Sequence, residues 1–251
     1  MEQREKIVSF LNSYLDIKNT KDSSNNGLQC EGTENVKKIV FGVSISLSLI
    51  EKAIKEKADM IIVHHGLLWG RSNIFKGPFK QKLKSLFENN INLLAYHLPL
   101  DKHIKIGNNA QIMAYFEAKQ IKPFGSYDGQ TIGFKGIFSK PKPLYEIIKT
   151  ISDKLHSKIL CLEFGPKKIK TLGVISGGAQ SMFNQAIDEK LDLYITGEIS
   201  EFVQEMAREN NINFISAGHY NSEKTGIWAL EKLIKSKFKV ETKFIDIPNP
   251  I

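Results

Sequence analysis

Three short stretches carry the residues able to do chemistry. His64-His65 closes an apolar run over residues 58–63. His97-Leu98-Pro99-Leu100-Asp101 and His219-Tyr220-Asn221-Ser222-Glu223 repeat the setting: an apolar run, a histidine, and a carboxylate four residues on. Neutral imidazole combined with carboxylate suits zinc, iron, manganese or cobalt. Strand ends are where open α/β sheets build ligand sites. These stretches are therefore expected to assemble one metal site. Adjacent histidines on an extended strand point to opposite faces, so one ion would not easily take both. At a strand end they can serve two neighbouring ions, with Asp101 or Glu223 coordinating or bridging. Two metals roughly 3.5–4 Å apart can hold a hydroxide and clamp both oxygens of a displacement. That is hydrolytic chemistry, typical of phosphoryl or C–N centres. His156 lacks such a setting and reads as a surface helix residue, and His103 reads as a loop residue.

The elements that must position these groups follow from apolar periodicity. Helices are predicted over 1–17, 46–56, 79–89, 143–155, 180–190, 200–210 and 225–235. Another starts from an Asn108 or Asn109 cap and runs to about residue 119. Strands are predicted over 36–43, 59–63, 91–96, 131–139, 170–175, 191–196, 212–216 and 239–245, with a short one entered through Asn26-Gly27-Leu28-Gln29. Residues 66–78 and 101–107 read as loops, and 123–129 as a linker rich in turn formers. An internal repeat emerges. Gly42 to Asp59 and Gly173 to Asp192 are separated by 17 and 19 residues. Aligned on the aspartates, His65 falls opposite Glu198. Each copy continues through a helix, Ile-Asn, an apolar strand and His-x-x-x-acid.

The expected fold class is α/β: two related lobes, each a mixed sheet flanked by helices, with the metal site in the cleft between them. The first lobe takes residues 1–124 and 217–251, and the second 125–216.

Composition narrows the classes. The chain has 251 residues, 41% hydrophobic and 25% charged, ordinary for a soluble globular protein. Cys30 and Cys161 have no ligand or disulfide spacing, which fits a reducing cytoplasm. The first residues lack the apolar core expected of a signal peptide, and no run approaches a membrane span. The net charge of +8 is nearly all lysine, with only Arg4, Arg71 and Arg208 as arginines. Scattered lysine argues against a nucleic-acid binder and reads as solvated helix faces; the alternative is a positive field that attracts a nucleotide or phosphorylated small molecule. Ser176-Gly177-Gly178-Ala179 lies between a strand and a helix. It lacks a dinucleotide or P-loop pattern and reads as a tight turn. No Gly-x-Ser-x-Gly elbow is present.

Together, Asn26-Gly27-Leu28-Gln29, His64-His65-Gly66, His97 to Asp101 with Gly107-Asn108, Thr196-Gly197-Glu198, and Gly218-His219-Tyr220-Asn221-Ser222-Glu223 resemble the NIF-three-like family. Its members are also called dinuclear-metal-centre proteins or GTP cyclohydrolase 1 type 2 homologues. The stretches span nearly the whole chain in the family's order. Gly66 stands where many relatives have proline.

The resemblance implies two divalent metal ions per subunit (zinc, iron or manganese). His65 and Asp101 would bind one and His64 and His219 the other, with Glu223 bridging. His97 and Glu198 are left for proton transfer or for support of the ligands. It further implies a toroidal homohexamer and a metal-dependent hydrolase acting by metal-bound hydroxide. The alternatives are a metal (iron) chaperone or cofactor-binding scaffold without turnover and, from the family's naming, a transcription-associated partner.

Overall fold

A computed structural model of the chain describes residues 1–70 and 74–251. In chain order its strands are β1 (Glu2–Gln3), β2 (Gly27–Cys30), β3 (Asn35–Val36), β4 (Lys38–Ser44), β5 (Met60–His65), β6 (Asn92–Ala95), β7 (Lys119–Tyr127), β8 (Gln130–Pro143), β9 (Leu160–Glu163), β10 (Lys168–Val174), β11 (Leu193–Thr196), β12 (Asn213–Ser216) and β13 (Glu241–Phe244). The α-helices are α1 (Arg4–Tyr14), α2 (Leu47–Lys55), α3 (Gly77–Glu88), α4 (Leu98–Asp101), α5 (Asn108–Tyr115), α6 (Leu144–Leu155), α7 (Phe183–Asp188), α8 (Val203–Glu209) and α9 (His219–Lys237). They form two compact units. One comprises Met1–Leu100 and Ile227–Pro248, and the other Asp101–Gly226 and Asn249–Ile251. The boundaries read from sequence, 124/125 and 216/217, fall within the second unit.

The first unit is built on a sheet of order β13-β4-β5-β6-β2. β13, β4, β5 and β6 run parallel, and β2 closes the edge antiparallel to β6. Strands buried on both faces read as unbroken apolar runs; residues 60–63 and 93–95 are fully buried. α2 starts where the Ser46 hydroxyl accepts the Leu49 N–H at 3.1 Å, a side-chain cap worth about 1 kcal/mol. Leu49, Ile50 and Ala53 of α2 join Val40, Ile61 and Leu93 in the core. The second unit has the order β7-β8-β10-β11-β12-β9, with β10, β11 and β12 parallel and the others antiparallel. Its core gathers Phe116, Phe138, Ile151, Leu172, Leu193 and Ile215.

The duplication extends to single hydrogen bonds. In the first unit Asp59 Oδ2 accepts the N–H groups of Lys37 and Lys38, and buried Asn92 donates to the Asp59 carbonyl at 3.0 Å. In the second unit Asp192 Oδ2 accepts those of Lys170 and Thr171, and buried Asn213 donates to the Asp192 carbonyl at 3.2 Å. Each asparagine also accepts a glycine N–H, Gly32 at 2.8 Å and Gly165 at 2.9 Å.

Four local expectations change. Most of the linker over 123–129 is strand: β7 and β8 form a hairpin, with Tyr127 paired to Gln130 and residues 128–129 as its turn. Asp128 and Gly129 both have positive φ (48° and 75°), and Asp-Gly is a strong two-residue hairpin signal. Gly107, rather than either asparagine, occupies the α5 cap; Asn108 and Asn109 are buried and spend their amides elsewhere. α9 begins at His219, ahead of the predicted 225. His156 caps α6 with φ 52° instead of lying within it. The loop read over 66–78 falls partly on residues 71–73, which lie outside the described residues.

Candidate metal centre

In the first unit the donors sit at the ends of parallel strands. Strand pairing sets Ser44 opposite His65. Regular pleating would send His64 and His65 to opposite faces, yet at the strand end their ring centroids are 4.6 Å apart, tilted by 52°. His97 follows β6, and its ring lies 5.0 Å from that of His64 and 5.6 Å from that of His65. A ring nitrogen from each of the three falls within 4.8 Å of the others.

Each Nδ1 has a partner 2.9 Å away: the Tyr96 carbonyl for His64, Ser44 Oγ for His65, and Asp22 Oδ1 for His97. A carbonyl only accepts, so the Nδ1 of fully buried His64 carries the proton and its Nε2 holds the lone pair. The Trp69 indole stands edge-on to His97 at 5.0 Å, its Nε1–H donated to the Gly66 carbonyl. The Gln29 side-chain oxygen accepts the N–H groups of Leu67 and Leu68, pinning the chain that leaves the double histidine.

In the second unit the donors gather around the start of α9. Residues four apart share a helix face, and His219 Nε2 lies 3.2 Å from Glu223 Oε2. Glu198, just after β11, takes the other ring nitrogen: its Oε1 is 2.5 Å from His219 Nδ1. Burial opposes charge on His219, but the Glu223 carboxylate, and then Glu198, outweigh it and hold the ring up at about 9 from 6.5. A raised folded-state value stabilises the metal-free protein fully below pH 6.5, and that contribution disappears as pH rises through about 9. In metal-stripped protein the His219 ring should therefore titrate near pH 9 by NMR, and zinc addition should release its proton. A ring titrating at the ordinary histidine value would show the carboxylate pairing to be wrong. Asp101, at the end of α4, is buried, and its Oδ1 accepts from Asn108 at 2.8 Å and Ser176 at 3.0 Å.

These groups fit a divalent transition metal. The first unit offers three imidazoles, and the second an imidazole with two buried carboxylates, Asp101 and Glu223, at 6% and 3% exposure. Buried carboxylates are costly unless paired with positive charge, and mixed nitrogen and oxygen donors suit zinc, iron or manganese. Gly177 makes room for them. Its φ is +69°, and a Cβ there would meet Glu223 Oε1 at 2.3 Å and His219 Nε2 at 3.3 Å.

The glycine-rich turn is a turn, as its sequence suggests, and is unsuited to phosphate. The N–H groups of Ser176, Gly177 and Ala179 are donated to Asn109, Ser222 and Thr196. The carboxylates of Glu223 and Glu198 flank the glycines.

Five residues named from sequence as ligands thus fall into two groups. His64 and His65 stand in the first unit, and Asp101, His219 and Glu223 in the second. His97 adjoins the first pair, and Glu198 touches His219. His103 keeps its loop role, its Nδ1 accepting the N–H groups of Lys105 and Ile106. Sequence reasoning missed Ser44, Asp22, Asn108 and Ser176. Asp22 lies 75 positions from His97, in a polar loop with no periodicity. Its one available signal was its place four residues before the Asn26-Gly27-Leu28-Gln29 stretch.

The comparisons agree with this architecture. The family model described as Duf34/NIF3 (NGG1p interacting factor 3) matches residues 2–250. A protein named GTP cyclohydrolase 1 type 2 homolog, from Pyrococcus abyssi, is 44% identical over 247 residues, 98% of each chain. Among solved structures, the ybgI protein, described as of unknown function, superposes with a TM-score of 0.92 at 36% identity, covering all of both chains. Reduced HcgD from Methanocaldococcus jannaschii follows with a TM-score of 0.87 at 27% identity, covering 98% of each chain. With the match running from end to end, the chain belongs to the Duf34/NIF3 family.

Proposed function

We propose that the protein holds two divalent metal ions per subunit and works as a metal-dependent hydrolase. The observation that carries this reading is the cluster of three imidazoles whose ring nitrogens fall within 4.8 Å, together with the buried carboxylates of the second unit. In this reading His65 and Asp101 would hold one ion and His64 and His219 the other, with Glu223 available to both. When bound, such ions supply Lewis acidity and lower the pKa of water.

The chain's own side chains do the rest. Tyr96 and Ser44 orient the paired imidazoles. Glu198, on His219 Nδ1, and His97, on Asp22, are the groups available to take up or deliver a proton. The net charge of +8 is compatible with a nucleotide or another phosphorylated small molecule as substrate. The curated relatives' name supports a nucleotide without establishing GTP as the substrate here. Two cysteines free of disulfide, Cys30 and Cys161, and described helices too short or too polar to cross a membrane support a cytosolic setting. The toroidal homohexamer rests on family resemblance, and sizing chromatography with light scattering tests it.

Elemental analysis of protein purified with excess zinc, iron or manganese should approach two ions per chain. A value well under one overturns the reading. His64→Ala removes a buried donor and should lower affinity in chelator competition by at least ~10–100-fold, the range seen when mere supporting residues are lost. Loaded wild type, screened against nucleotides and phosphoesters, decides turnover. Full loading with rapid metal exchange and no turnover would instead make it a metal-handling protein.

A further inference from the structure

Asp22 is 2% exposed at its side chain, yet it sits in a loop of polar residues. Its carboxylate is wired to four donors. Oδ1 accepts the Ser24 N–H at 3.0 Å and faces His97 Nδ1 at 2.9 Å. Oδ2 accepts the Asn26 side-chain amide and the Leu98 N–H, each at 2.9 Å. Asn26 completes the ring of contacts: its Oδ1 accepts the His97 N–H at 2.7 Å. One carboxylate and one asparagine therefore grip His97 by both its side chain and its backbone.

The chemistry follows from donor and acceptor roles. An ionised carboxylate can only accept. Burial pushes Asp22 toward its neutral form, but hydrogen bonds from His97, Asn26 and Ser24 outweigh it and hold the acid below its usual range. Nδ1 of His97 then carries a proton, and in the neutral ring Nε2 holds the lone pair. Trp69, edge-on to the ring, limits its rotation. In the second unit, too, a carboxylate faces the Nδ1 of a histidine, Glu198 against His219. Metal-site histidines are commonly oriented by a carboxylate in this way.

We infer that Asp22 is a positioning residue: it locks His97 in the Nδ1–H form, so that Nε2 faces His64 and His65 as a hydrogen-bond acceptor. This rests on the metal reading above and deepens it by giving the Asn26-Gly27-Leu28-Gln29 stretch a task. That stretch and Asp22 form a clamp whose output is the tautomer of one imidazole.

The test is long-range proton–nitrogen NMR on full-length, metal-free and zinc-loaded protein at neutral pH, comparing wild type with Asp22→Asn. Wild type should show His97 as a single Nδ1–H tautomer. In Asp22→Asn, the Leu98 N–H and the Asn26 amide still require an acceptor at one position, against the Ser24 N–H alone beside His97 at the other. The new NH2 therefore turns toward Nδ1, and the tautomer ratio should move by roughly tenfold or more toward Nε2–H, because a charge-assisted bond has been lost. A merely structural Asp22 would lower the melting temperature and leave the tautomer alone, which overturns the inference. If Asp22→Asn fails to fold, wild type still decides: a His97 predominantly in the Nε2–H form overturns the proposal. Zinc content in the same wild-type samples reports separately on the metal reading, since its absence overturns that reading and leaves the tautomer result intact.

Discussion

Gly177→Ala should destabilise the protein by about 2–5 kcal/mol and weaken zinc binding by roughly 10–100-fold. Two causes add. An alanine held at φ +69° costs about 1–2 kcal/mol, because its Cβ crowds the carbonyl. The new Cβ would also fall 2.3 Å from Glu223 Oε1, and crowding a filled interior costs about 1–3 kcal/mol. Glu223 cannot swing away cheaply, being 3% exposed and set one turn into α9. The carboxylate and His219 must shift together, and both are proposed ligands. Gly129→Ala is the control: its φ is +75°, but nothing lies within 4 Å of the added Cβ. It should show the backbone cost alone, with zinc affinity unchanged. Thermal melts of stripped protein and chelator competition separate the effects. Equal zinc affinity in Gly177→Ala and wild type would remove Gly177 from the centre.

Asn92→Ala and Asn213→Ala should each cost about 2–4 kcal/mol, lowering the melting temperature by roughly 5–15 °C. Both side chains are fully buried. Asn92 satisfies the Gly32 N–H and the carbonyls of Thr33 and Asp59. Asn213 satisfies the Gly165 N–H and the carbonyls of Pro166 and Asp192. Truncation takes this partner from the Gly32 and Gly165 N–H groups and from the Thr33 and Pro166 carbonyls, each at a desolvation penalty, while the Asp59 and Asp192 carbonyls keep the backbone N–H groups of positions 92 and 213. The matched wiring predicts matched losses. If one substitution were neutral and the other severe, the two asparagines would not be equivalent parts of a duplicated unit.

Local periodicity made much of the fold legible. Parallel strands buried on both faces appear as apolar runs, and the Gly…Asp and Ile-Asn spacings mark the duplication because each copy must solve the same backbone hydrogen-bonding problem. The histidines could be placed at strand ends for the same reason. Local signals failed where a residue answers to a distant partner. Residues 123–129 hold the turn formers of a linker, but pairing with β8 makes 123–127 strand and leaves only 128–129 as the turn. Asn108 looks like a helix cap, yet its amide goes to Asp101 and its oxygen accepts the Gly226 N–H at 2.6 Å. That contact also explains a glycine inside α9, since a Cβ at Gly226 would sit 2.6 Å from Asn108 Oδ1.

Residue types and spacing were enough to select the double histidine, His97, Asp101, His219, Glu198 and Glu223, because ligand chemistry depends on which atoms a side chain carries. Which nitrogen of each imidazole keeps its proton is a different kind of fact. It depends on what faces Nδ1: the Tyr96 carbonyl, Ser44 Oγ, Asp22 and Glu198. Those partners lie 21 to 75 positions away. Only folding brings them within hydrogen-bonding distance, and no local pattern encodes that approach.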